Sequence, residues 1–280
     1  MKDSAKKIVI IGLGLMGGSL AAALRQKLPH CRIAAVTRNK KALSYALRKG
    51  WIHEGCSDLE TALVGADLAV LCTPVDTEIE FLKAIDRAAH KPLCVTDVGS
   101  VKGELLSQTN KAKFRRISFV PAHPMVGSHE QGIQAASAHL YNNGLVFLIR
   151  TSGQSKKAFL KVQSFWKVLT PRIVTVKAEQ HDAIVGDISH LPHAAAFCLM
   201  AAADPRHFAY AASGFKDTTR VAAAPPTIWE PIFLANSKVL DRLLGRYEKE
   251  IRAFRKMVRS KNSKALRRKL LLSSRRRQEI

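Results

Sequence analysis

The segment from Ile8 to Leu20, Ile-Val-Ile-Ile-Gly-Leu-Gly-Leu-Met-Gly-Gly-Ser-Leu, constrains this chain more than any other. Its first four residues are all β-branched, a short apolar run that suits a strand buried on both faces. Gly12, Gly14 and Gly17 follow at G-x-G-x-x-G spacing, and an apolar helical stretch runs from about Gly17 to Lys27. The first glycine permits a tight turn, the second lets backbone approach a pyrophosphate, and the third lets helix and strand pack closely. Amides at the helix N-terminus then face the phosphates. Glycine-rich turns are common by themselves. Placed between a buried strand and an apolar helix, this one predicts a dinucleotide site made by Gly12, Leu13, Gly14, Leu15, Met16 and Gly17.

The next strand bears on which dinucleotide. An NAD site usually places Asp or Glu about twenty residues on, where it holds a ribose hydroxyl. Here the strand Arg32–Thr37 ends in Thr37-Arg38-Asn39, without an acid. Arg38 can pair with a 2′-phosphate that no neighbouring carboxylate repels. NADP is the preferred reading, and NAD stays open because Arg38 could instead stack or point to solvent.

Short β-branched runs alternate with helical stretches through the first 177 residues. Further strands are expected at Leu68–Leu71, Leu93–Thr96, Ile117–Val120, Leu145–Ile149 and Ile173–Val176, and helices at Lys40–Lys49, Glu78–Ala89 and Lys156–Leu169. Such alternation predicts a mostly parallel sheet covered on both faces. After Lys177 the strand pattern stops. Ala178–Ala203 reads as one long helix bent near Pro192, and helical spacing resumes from Thr227 to about Val258. The fold expected is α/β: an N-terminal Rossmann domain over 1–177, then an all-helical substrate and dimerisation domain over 178–280.

Composition narrows the classes. No run of eighteen apolar residues and no secretory leader is visible, which argues against a membrane span. The five cysteines are scattered without a Cys-x-x-Cys pair, as expected of buried thiols in a reducing cytoplasm. The formal net charge is +23, and 251–280 carries twelve Lys or Arg against the single acid Glu279. A solvated helix end and tail is the plainer account of that run; nucleic-acid binding through it is the alternative. A positive cleft also concentrates anionic cofactors and substrates.

Other loops follow strand ends, where ligands collect in open α/β sheets. Cys72-Thr73-Pro74-Val75 brings Thr73 and Pro74 to the cofactor side. Asp97-Val98-Gly99-Ser100-Val101-Lys102 follows the next strand. Pro121-Ala122-His123-Pro124-Met125-Val126-Gly127-Ser128 then presents His123 just past a strand end, as a candidate acid or base opposite a nicotinamide.

With Asp97–Lys102, His123–Ser128, Ser189–His193 (SHLPH) and Gly214–Arg220 (GFKDTTR) in this order, the chain resembles the prephenate/arogenate dehydrogenase family from the glycine loop to beyond Trp229. The basic tail lies outside the resemblance. What it implies is oxidative decarboxylation in tyrosine biosynthesis: a cyclohexadienyl acid gives up hydride, loses its ring carboxylate as carbon dioxide and becomes a phenol. By that likeness His123 is the base on the ring hydroxyl, and Ser100 bridges substrate and nicotinamide. Arg220 anchors a substrate carboxylate, and His193, Ser213 and Gly214 line the pocket. Trp229 reaches a neighbouring subunit's site, which implies a homodimer. Asp182 and Asp217 support rather than react.

On the residues alone other readings stay open. His190 and His193, three apart, could be core histidines or metal ligands; no nearby cysteine or carboxylate completes a metal set, so no metal is expected. Asp217 and Arg220 could be a local ion pair, and Trp229 plain core. His129 stands where many family members carry glutamate, so its pairing with Arg220 is in doubt. Two other functions are weighed: a β-hydroxyacid-type dehydrogenase, which needs a helical-domain lysine that these motifs fit poorly, and a dinucleotide-sensing or nucleic-acid-binding protein using the basic arm.

Overall fold

The structure, a computed structural model, describes residues 6–127 and 130–280. It divides into two compact units, Met1–Asn236 and Ser237–Ile280.

In the first unit six strands make one parallel sheet: β1 (Lys7–Ile11), β2 (Arg32–Val36), β3 (Glu54–Cys56), β4 (Leu68–Leu71), β5 (Leu93–Asp97) and β6 (Ile117–Phe119). Their order is β3-β2-β1-β4-β5-β6, with every pairing parallel. This is the doubly wound dinucleotide-binding order, in which the direction of strand addition reverses between β1 and β4 and opens a crevice at their carboxyl ends. Alternation along β1 shows why the strand is apolar throughout. Ile8 and Ile10 enter the cluster on one face with Leu20, Leu24, Ile33 and Trp166, while Val9 and Ile11 enter the other with Leu71, Leu82 and Ile85. The helices that cover these faces include α1 (Leu15–Lys27), α2 (Lys40–Arg48), α3 (Leu59–Leu63), α4 (Glu78–Ala88), α5 (Gly103–Ala112) and α6 (Lys156–Leu169).

A smaller sheet joins β7 (Ala122–Met125), β8 (Leu145–Ile149) and β9 (Arg172–Val176), with β7 antiparallel to β8 and β9 parallel to it. His123 therefore lies within a short strand rather than past a strand end, paired with Phe147.

The helical part begins with α7 (Ala178–Val185), continues as a π-helical turn over Gly186–His190, and goes on as α8 (Leu191–Ala202). The expected irregularity is present, as a widened turn just ahead of Pro192 rather than a break at it. A proline at the start of α8 has no amide to offer the preceding turn, and a π turn accommodates this without ending the helix. By length and composition 178–202 could cross a membrane. It nevertheless buries His181, Asp182 and His190 inside the protein. α9 (Ser213–Thr219) and α10 (Pro226–Ala235) complete the unit. The second unit is a pair of helices, α11 (Ser237–Arg259) and α12 (Ser263–Gln278), so the helical run expected from Thr227 to Val258 divides at Asn236.

Candidate active site

The glycine loop is shaped by close approach. Gly12 has φ +97°, and a Cβ there would sit 2.5 Å from the Cys72 carbonyl oxygen. A Cβ on Gly17 would lie 1.9 Å from the Gly12 carbonyl oxygen, so both positions exclude any side chain. Gly14 is the opposite case: nothing lies within 4 Å of where its Cβ would be. Two glycines are thus demanded by packing, and the third leaves clear space at the N-terminus of α1. No side chain caps that terminus. Its amides are available to an anion, and the residues fit a dinucleotide pyrophosphate. Ser19 Oγ accepts from Ser137 N at 3.0 Å, and Tyr141 Oη donates to the Met16 carbonyl at 3.0 Å, so the β7–β8 connection braces this helix.

Arg38 is exposed just beyond β2, with Thr37 half-buried before it. Asn39 is committed to capping α2, accepting from Ala42 N at 3.1 Å. Across the crevice Thr73 Oγ1 is buried without a hydrogen-bond partner, beside the Gly12 turn.

A closed ring of contacts ties the loop after β5 to β7 and α7. Asp97 and Lys102 are both fully buried and paired through Oδ2 and Nζ. Asp97 also accepts from Gly99 N at 2.9 Å and, through Oδ1, from Ala122 N at 2.9 Å. Next along the chain His123 Nδ1 lies 2.9 Å from His181 Nε2, and His181 Nδ1 lies 2.7 Å from Asp182 Oδ1. Asp182 returns to the loop, accepting from Lys102 N at 3.0 Å and Gly103 N at 2.7 Å at the start of α5. Ser100 and His123 are therefore held by one framework. Glu78 lies buried against it, its carboxyl pushed up by burial and then by the Asp97 charge. Burial beside the Asp97–Lys102 pair thus favours the neutral form of Glu78.

The histidines are kept neutral. Burial, then His181, Lys102 and His190, hold His123 well below the ordinary imidazole range. Burial likewise lowers His181, and it takes His190 down to about 4. For Asp182 burial raises the carboxyl, but the His181 hydrogen bond and the two amides outweigh it and the group stays ionised.

The remaining expected residues gather along α8–α10. His193 stacks on Trp229 with ring centroids 3.5 Å apart, and its Nδ1 lies 2.9 Å from the Ser189 carbonyl. His190 meets Trp229 edge-on and is hydrogen-bonded to Asn236 at 3.1 Å, as a satisfied core histidine. Arg220 is exposed; burial lowers His193, and the Arg220 charge adds to it in smaller measure. Ser213 and Gly214 are exposed at the start of α9, and Asp217 is exposed within it. Ser128 and His129, and with them any pairing of position 129 with Arg220, lie outside the described residues. Among the described residues no group of three or more His, Cys, Asp or Glu is arranged to hold a metal ion.

Sequence reasoning did not single out His181, Lys102's buried charge or Glu78. His181 carries no motif; its only trace is its place before Asp182 in the first turns after β9.

Residues 20–175 match the family model "Prephenate dehydrogenase, nucleotide-binding domain" and 177–272 match "Prephenate dehydrogenase, dimerization domain", so most of the basic 251–280 run falls inside the family match rather than outside it as expected. Prephenate dehydrogenase of Bacillus subtilis is 32% identical over 266 residues, covering 92% of this chain and 70% of that one. The crystal structure of prephenate dehydrogenase from Aquifex aeolicus with hydroxyphenyl propionate and NAD+ superposes with TM-score 0.91 at 30% identity, covering 100% of this chain and 99% of that one. Synechocystis arogenate dehydrogenase gives TM-score 0.82 at 26% identity, covering 98% and 99%.

Proposed function

The chain belongs to the prephenate dehydrogenase family, and from that premise we propose that it oxidatively decarboxylates prephenate or arogenate in tyrosine biosynthesis. When bound, the nicotinamide dinucleotide supplies the acceptor for the hydride that leaves the ring carbon. His123 takes the proton of the ring hydroxyl, whose oxygen becomes a carbonyl. The ring carboxylate departs as carbon dioxide, its bonding pair entering the ring. The oxygen then recovers its proton from His123 and ends as a phenol. The observation that carries the reading is the setting of His123: buried, with Nδ1 2.9 Å from His181 Nε2, where burial favours the neutral imidazole. A neutral imidazole is the form able to accept a proton.

Ser100 positions substrate and nicotinamide from the braced loop. Arg220 binds a substrate carboxylate with its planar fork, and His193, Ser213, Gly214 and Trp229 wall the pocket. Gly12–Gly17, Thr37, Arg38, Thr73 and Pro74 hold the cofactor. We favour NADP over NAD because exposed Arg38 replaces the customary acid at the end of β2. The division of labour falls between residues 177 and 178, where strands give way to helices.

The enzyme works as a cytoplasmic homodimer. Ile188, Leu199, Phe208, Tyr210, Ile228 and Leu234 are exposed apolar side chains within the segment that matches the dimerization model. A second copy packed against them would take them out of water.

A steady-state matrix of both acids against both cofactors tests the assignment. Formation of reduced cofactor with release of carbon dioxide and a phenolic product is expected from at least one combination. Absence of turnover in all four would overturn it.

A further inference from the structure

We propose that His181 and Asp182 are positioning residues for His123: they keep its Nδ1 protonated, so that Nε2 always meets the substrate hydroxyl as a bare lone pair, and they share the charge that arrives with the proton. The inference rests on His123 as the base and extends the site to two side chains that do not touch the substrate.

Donor and acceptor counting leads to it. Asp182 receives two backbone amides and is ionised, so it can only accept. Facing it at 2.7 Å, His181 Nδ1 must carry a hydrogen. A neutral His181 then has only a lone pair at Nε2, and the ring nitrogen 2.9 Å away, His123 Nδ1, must be the donor. A neutral His123 with its Nδ1 protonated has Nε2 free of hydrogen. The opposite tautomer would set two lone pairs against each other at that separation. A doubly protonated His181 is opposed first by its burial.

The seat is built for the carboxylate. A Cβ at Gly103 would lie 2.8 Å from Asp182 Oδ2, so a side chain there would displace it. The start of α5 also favours negative charge. The ionisable groups that act on the histidine pair are Lys102 before α5, Asp97 of β5, Asp182 of α7 and His190 of the π turn. Lys102 and Asp97 offset each other through their own pair. His190 is neutral and held by Asn236. Asp182 is left as the uncompensated charge behind the imidazoles. When the substrate O–H bond breaks, its electron pair stays on oxygen and a new N–H bond forms at His123 Nε2. The positive charge is then stabilised along Nδ1–H to His181 and on to Asp182. Return of the proton to the phenol oxygen reverses each change, and no proton is consumed.

The test is imidazole nitrogen NMR on the full chain with 15N-labelled histidine, with kinetics on the same samples. In the parent, His123 should be protonated at Nδ1 and bare at Nε2 at neutral pH. His181→Gln keeps an oxygen where Nε2 stood and should preserve that tautomer. His181→Leu should release His123 to a mixture of tautomers and lower kcat by about tenfold or more, with cofactor KM within about twofold, and His181→Gln should recover part of the loss. His123 protonated at Nε2 in the parent would overturn the proposal, as would His181→Leu with unchanged nitrogen signals and kcat. Should the leucine variant not fold, the parent and glutamine signals decide. Because the nitrogen signals need no turnover, a chain inactive with both acids would remove the proposed function while the relay is still judged.

Discussion

At position 123 one imidazole is both buried and hydrogen-bonded. Burial removes the charged form, and the contact with His181 engages one of its nitrogens. An asparagine at this position can still donate to His181 but cannot take a proton. His123→Asn should therefore fold and bind cofactor with parental affinity while losing about 10²- to 10⁴-fold in kcat; near-parental turnover would remove the histidine from the chemistry. The buried histidines also make a prediction for stability. His123, His181 and His190 all bind protons less readily folded than unfolded. Their stabilising contribution is complete above the unfolded value near 6.5 and is lost as pH falls through the folded values. For His190, which drops to about 4, the difference is on the order of 3 kcal/mol. Denaturant titrations should show stability falling steadily from pH 6.5 toward 4, and a flat profile would contradict this. His123 was legible in the sequence because it stands in a distinctive loop. His181 was not, since its partner is 58 residues away and an isolated histidine in a helix's first turns has many uses.

Among the elements, those with strong patterns could be read directly and those defined by partners could not. The run before Gly12 is a buried strand on any account, and β1, β4, β5 and β8 lie within a residue of where β-branched spacing places them. β3 has three residues, too few for a pattern. β7 is an edge strand that contains Pro124, and a proline argues against a strand unless the fold supplies an edge for it. The division at Asn236 was equally hidden: its side chain donates to the Asp182 carbonyl at 3.0 Å and also meets His190, a tertiary demand that helical periodicity does not report. At the β2–α2 turn the sequence does carry a usable signal, because Asn39 is spent on the cap and Arg38 is left exposed. Arg38→Ala should weaken NADP by about tenfold, the equivalent of one charge-assisted contact, and leave NAD within about twofold. Equal losses for both in cofactor titrations would argue against the 2′-phosphate role.

On the scale of the whole molecule, the sheet order brings the glycine loop, Thr73 and the Asp97–Lys102 loop to one edge, and the helical part carries His193, Trp229 and Arg220. Fold class followed from the alternation of strands and helices, whereas the smaller sheet and the π turn depend on contacts far apart in the chain. In the second unit Tyr247, Ile251, Phe254 and Val258 form an exposed stripe along α11 at helical spacing. Sedimentation should therefore give a dimer at micromolar concentration, and a monomer there would contradict the proposed assembly. The account as a whole stands on His123 and Arg220 serving one bound molecule. A crystal structure with cofactor and a phenolic product analogue measures this directly. It should place the phenol oxygen about 3 Å from His123 Nε2 and the side-chain carboxylate on the Arg220 guanidinium. Finding those two groups in separate cavities, with the analogue touching only one, would contradict it.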